Sequence, residues 1–171
     1  MISIPYFKQI AKSNAKFLGV FTLVLCVFLI VMTNVFTPET INGFQSATKG
    51  TAVSHIMEGN GTLIGFMSNS FYALMAIIFP MVYSIMVGNR MIAEKVDKGN
   101  MAGFLSTPTT RLQITVSSAV YFVLSLALMW GISSIVGIIA ANTFQPDALD
   151  IDTFLLLNLG AFLYHLVISS I

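Results

Sequence analysis

Apolar residues fall in four long blocks, and the segments between them carry nearly all of the charge. Phe17 to Phe36 is the first block, Gly65 to Val87 the second, Leu112 to about Ala141 the third and Phe154 to Ile171 the fourth. None contains Asp, Glu, Lys or Arg. A helix rises 1.5 Å per residue, so a hydrocarbon layer about 30 Å thick takes ~20 such residues. The pattern predicts an all-α membrane protein of about four transmembrane helices. The first block reads as a retained span. Its apolar stretch is too long for a signal peptide, sixteen residues precede it, and no small-residue cleavage site follows at Met32–Thr40.

Composition agrees. Of 171 residues, 56% are hydrophobic and 9% charged, and the mean hydropathy is +0.87. Soluble domains carry about 25% charged residues. A soluble fold, a disordered chain and a nucleic-acid binder are all excluded. The single Cys26 excludes an intrachain disulfide framework. Charge placement sets orientation. Lys8, Lys12, Lys16, Arg90, Lys95, Lys98 and Arg111 fall before span one or between spans two and three, and only Lys49 falls in the other connections. The positive-inside rule then predicts a cytoplasmic N-terminus and 89–111 loop, with 37–64 and 142–153 outside. The expected localisation is the cell membrane, multi-pass.

Lys8, Lys12 and Lys16 share one helical face, with Ile4, Phe7, Ile10 and Ala11 largely away from it. This predicts a membrane-interface helix before span one, its lysines near anionic headgroups, or lysines that act only as topology determinants. Thr37-Pro38 ends span one. The 37–64 connection, rich in Gly, Thr, Ser and Asn, reads as a loop. Pro80 removes a backbone hydrogen bond from span two. Ser125, Met129, Ser133, Gly137 and Ala141 form a small-residue stripe on span three, suited to close packing on a helix of this chain or of another subunit. His165 reads as a hydrogen-bonding contact to a neighbouring helix, since no intramembrane carboxylate accompanies it.

Enzyme chemistry has little support. His55 and Glu58, or Asp147, Asp150 and Asp152, offer too few ligands for a metal site, and Asp150 or Asp152 fits a helix N-cap for span four. No phosphate-binding loop occurs. No catalytic, cofactor or metal residue is expected in this chain.

The 88–111 segment is the most informative. Arg90–Glu94 and Glu94–Lys98 are i, i+4 pairs, Met91, Ile92 and Val96 form an apolar side, and Gly99 can end a helix. Met101–Leu105 is a second apolar patch. Thr107-Pro108 breaks the helix, and Thr110-Arg-Leu-Gln113 fits a capping box opening span three. The reading is a short amphipathic helix across the inner surface, or a charged loop held there for topology.

The run Glu94-Lys95-x-x-Lys98-Gly99, followed by Leu105-Ser106-Thr107-Pro108-x-x-Arg111, resembles the first cytoplasmic loop of type-2 ABC-transporter permeases, the membrane subunits of bacterial exporters. Asn100 stands where that family usually has Thr. The resemblance implies a single permease domain over 1–171. It also implies a coupling helix at about Met91 to Phe104 between spans two and three. Glu94, Lys95, Asp97 and Lys98 would contact an ATPase, Gly99 and Pro108 would set the geometry, and Arg111 would anchor span three. The implied partners are a cytosolic ATP-binding subunit, which alone would hold ATP and Mg, and a second permease half, identical or different. Family members usually have six spans, so the chain is expected to be an incomplete, N-terminal part. The competing expectation is a small accessory or immunity-type membrane protein without transport activity.

Overall fold

The computed structural model describes residues 3–51, 62–91 and 110–169. Among them are five helices: α1 (Ile4–Val35), α2 (Pro38–Thr48), α3 (Leu63–Met91), α4 (Arg111–Phe144) and α5 (Ile151–Ser169). All but α2 are long and apolar enough to cross a membrane. The chain is an all-helical, multi-pass membrane protein by that measure.

α1 and α4 form the longest contact, and they run in the same direction. At one end the Ser3 backbone N–H donates to Ser117 Oγ at 3.0 Å. At the other, Gln145 Nε2 donates to the Thr33 and Phe36 carbonyls at 2.7 and 3.1 Å. α5 packs on α4, and α3 packs on both α1 and α5. The core between them holds Leu25, Leu29, Phe71, Tyr83, Leu126, Met129 and Phe154, all with essentially no exposure. Lipid-facing sides carry exposed Leu, Ile and Val, as expected where hydrocarbon rather than water is the solvent.

Three differences from the sequence expectation have physical causes. The separate interfacial helix does not form: residues 4–16 are the opening turns of α1 itself, whose 32 residues extend about 48 Å. The apolar side expected to enter the acyl boundary packs on α4 instead. Tyr6 and Ile10 are buried, and Phe7 meets Tyr121 edge-on at 6.1 Å between centroids. α4, at 34 residues, is long enough to cover most of that side, and of the four apolar residues only Ile4 stays exposed. Second, part of the 37–64 connection is helical. Thr37 caps α2 by accepting from the Thr40 N–H at 3.3 Å, with Pro38 and Glu39 in the first turn. Third, the irregularity in the second span lies upstream of Pro80, in a π-helical segment, Ser68–Met75. α-Helical turns resume at Ala76 and run through Pro80 to Met91.

The small-residue stripe of α4 is filled from within the chain. Ser125, Met129, Ser133 and Ala141 are buried. The Phe154 ring of α5 lies where a Cβ on Gly137 would stand.

Candidate functional site

The site predicted from sequence straddles the connection between α3 and α4. Met91 ends α3 and is buried. Glu94, Lys95, Asp97, Lys98, Gly99, Phe104 and Pro108 lie outside the described residues. Arg111 is the first residue of α4. The expected capping box is present: the Gln113 N–H donates to Thr110 Oγ1 at 3.3 Å, and the Thr110 N–H donates to Gln113 Oε1 at 3.0 Å. Two otherwise orphaned donors are satisfied, so α4 starts at a defined residue.

The basic groups gather at the same end. Lys8, Lys12 and Lys16 are exposed on α1, on the side away from buried Tyr6, Ile10 and Asn14. Arg90, in the last turn of α3, places its guanidinium 4.9 Å from the centroid of the Phe17 ring, next to Lys16 in sequence. A cation over an aromatic face and a basic group in a helix's last turn are both favourable placements.

A cavity of about 650 Å³ opens beside this junction, among α3, α4 and α5. Met91, Gly88 and Thr115 line the part at the end of α3 and the start of α4, and Phe122, Leu166 and Met81 belong to its apolar wall. The polar side chains among the described lining residues are hydroxyls: Ser84, Thr115, Ser118 and Ser169. Ser84 Oγ donates to the Pro80 carbonyl at 2.8 Å and stands 3.3 Å from Ser169 Oγ, joining α3 to α5. Among the described residues no charged side chain lines the cavity. Its chemistry suits an apolar or uncharged amphipathic occupant.

His165 has the role the sequence assigned it. The ring is fully buried, with Nδ1 2.6 Å from the Ala161 carbonyl of its own helix and Nε2 3.3 Å from the Ile77 carbonyl of α3. Pro80 lacks the N–H that the Ala76 carbonyl would accept, and His165 contacts the next carbonyl along. A neutral ring donates to one of these oxygens and an imidazolium to both. His165→Phe is expected to cost about 1–3 kcal/mol, and His165→Gln less, because glutamine keeps a donor at similar reach. Thermal unfolding in detergent compares them; equal losses would remove the hydrogen bond from the account.

Asp150 caps α5. Thr153 Oγ1 donates to Asp150 Oδ2 at 2.5 Å, and the Phe154 N–H donates to its backbone carbonyl at 3.0 Å. The Thr153 hydroxyl and backbone N–H hold the Asp150 carboxyl below the usual range. A depressed carboxyl stabilises the folded state above its unfolded pKa and loses that contribution as pH falls through the folded value. The first turn of α5 is therefore expected to lose amide protection, read as the exchange rate relative to the intrinsic rate at each pH, as pH falls below about 4. Asp150→Asn should show no such dependence. The carboxyl is fully exposed, so the effect stays local.

Among the described residues no group of three or more His, Cys, Asp or Glu could hold a metal ion. His55 and Glu58 lie outside them. What sequence reading missed is the cavity. Its lining comes from three helices distant in the chain, and no local pattern in any of them announces it. No family model, curated protein or solved structure matches this chain.

Proposed function

We propose that this chain is a membrane-spanning permease subunit of an ATP-driven exporter, coupling ATP hydrolysis on a separate cytosolic subunit to movement of substrate. The observation that carries the reading is the 94–111 motif and its position between the second and third crossing helices. The capping box at Thr110 and the gathering of Lys8, Lys12, Lys16 and Arg90 at the same end support it. They are what a cytoplasmic connection flanked by positive charge requires.

In this reading the N-terminus and the 92–109 segment face the cytoplasm. The coupling helix at about Met91 to Phe104 docks on the ATPase through Glu94, Lys95, Asp97 and Lys98. Gly99 and Pro108 shape the connection, and Arg111 and Met91 tie it to α4 and α3. Both helices also line the 650 Å³ cavity, so a pull on the loop acts on the cavity walls. Coupling follows only if the loop binds the ATP-closed and open ATPase with different free energies. The lysines of α1 reach the headgroup layer by extending their aliphatic stems. An uncharged amphipath is the substrate class the cavity favours.

The test is to place single cysteines at positions 95 and 98 in a Cys26→Ser background. They are labelled in oriented membrane vesicles with and without the ATPase subunit. Labelling from the cytoplasmic side, protected by the ATPase, is the expected result. Labelling from the opposite side, or labelling indifferent to every co-expressed ATPase, would reject the permease reading in favour of an accessory membrane protein.

A further inference from the structure

We propose that the cavity among α3, α4 and α5 binds a neutral amphipath through a hydrogen-bond donor, an alcohol or amide group held between the oxygens of Ser84 and Ser169. The inference rests on the substrate class of the permease reading and deepens it. It adds which polar group the occupant carries and where that group sits.

Ser84 and Ser169 both line the cavity, one from α3 and one from α5. Their oxygens stand 3.3 Å apart. A serine hydroxyl has one hydrogen to donate and two lone pairs to accept with. Ser84 Oγ gives its hydrogen to the Pro80 carbonyl at 2.8 Å. Ser169 Oγ gives its own to the His165 carbonyl at 2.5 Å. Both bonds are shorter than the contact between the helices. Both run to the carbonyl four residues earlier, a pattern open to any serine inside a helix. No hydrogen remains for the gap between α3 and α5, so lone pairs face lone pairs across it. An O–H or N–H brought to this point by an occupant donates to both oxygens and relieves that opposition.

The rest of the wall narrows the class further. None of the described lining residues is Asp, Glu, Lys or Arg, so a charged group entering the cavity loses its water and finds no counter-charge. An anion meets only acceptors at Ser84 and Ser169. Met81, Phe122, Val123 and Leu166 offer an apolar body its contacts. At about 650 Å³ the space is that of an ordinary small-molecule site, in which a few placed polar groups fix the orientation of a mostly apolar ligand.

The experiment uses the full chain in lipid nanodiscs and two photoreactive probes. One is octanol carrying a diazirine on its chain. The other is the methyl ether of the same molecule, which keeps the apolar body and lacks the donor. Adducts are located by peptide mass spectrometry after irradiation. On the parent chain the alcohol is expected to label Met81, Phe122 or Leu166 roughly tenfold more than the ether, the effect of about one hydrogen bond. Ser84→Ala with Ser169→Ala should bring the alcohol down to the level of the ether. Ser134→Ala removes the same kind of bond, to the Trp130 carbonyl, outside this cavity and should change nothing. Gly88→Leu should abolish labelling by both probes. Gly88 lines the cavity and nothing stands within 4 Å of a Cβ placed on it, so the new side chain takes up the space without displacing a neighbour. Equal labelling by alcohol and ether, no adduct at the cavity wall, adducts spread over the lipid-facing surface, or labelling indifferent to the double alanine change or to Gly88→Leu would overturn the proposal. The comparison of the two probes needs no substitution, no ATPase and no transport, so its failure and the failure of the permease reading are separable.

Discussion

Gly137→Leu is expected to unseat α5 and lower stability by about 3 kcal/mol, near the upper end for overpacking a tight core. The Phe154 ring stands where the first carbon of the new side chain must go. Phe154 cannot move aside freely. It is fully buried and lies against Tyr72 of the π-helical segment, at 6.4 Å between ring centroids and 70° between planes. Tyr72 in turn meets Phe71 edge-on at 5.1 Å. A collision at Gly137 therefore runs through Phe154 into the irregular part of α3. In detergent the expected fall in melting temperature is roughly 5–10 °C. Gly160→Leu is the control: it sits on α5 with open space around it and should be near neutral. Phe154→Ala should cost several kcal/mol alone yet recover part of its loss when combined with Gly137→Leu, because the two changes share one volume. Equal effects at Gly137 and Gly160 would remove the close contact as the cause.

In the permease reading, the Glu94→Ala/Asp97→Ala double variant has the largest functional effect. It is expected to insert and fold as the parent does, since neither residue falls in one of the four charge-free apolar blocks of the sequence. It is also expected to lose most of the substrate-stimulated ATPase activity of the assembled transporter. A hydrogen-bonded charge pair across an interface is worth about 2–5 kcal/mol when one partner is truncated, so a fall of tenfold or more is expected. Basal hydrolysis by the ATPase should persist, which separates uncoupling from failed assembly. Unchanged stimulation would exclude these acids as docking groups. Lys8→Gln with Lys12→Gln and Lys16→Gln should leave stimulation intact while weakening retention of anionic lipid, because each lysine near the surface contributes about 1 kcal/mol there.

The crossing helices were legible in the chain because hydrocarbon imposes one rule on every residue of a span. A run of about 20 residues without charge has no other stable state in a membrane. Local chemistry was legible for the same reason that it is local. Thr110 with Gln113 and Asp150 with Thr153 each pair polar groups within a few residues of themselves. The helix after Thr37 carried its signal too, in an N-cap followed by Pro and Glu, which the Gly- and Ser-rich composition of the connection masked.

Which faces meet depended on three-dimensional packing. Residues 4–16 read as a helix for the lipid boundary, yet α4 is long enough to bury their apolar side, and no pattern within α1 encodes the length of its neighbour. The stripe on α4 left open whether its partner belonged to the same chain; the Phe154 ring on Gly137 decided it. His165 could be assigned a neighbouring helix but not the carbonyl of Ile77. Span number, span composition and helix starts follow from short-range solvation and hydrogen bonding, which each segment settles alone. The cavity, the unpaired Trp130 and Asn158 groups and the burial of Tyr6 and Ile10 arise from side-chain shape between separate helices, and only the assembled bundle contains that information.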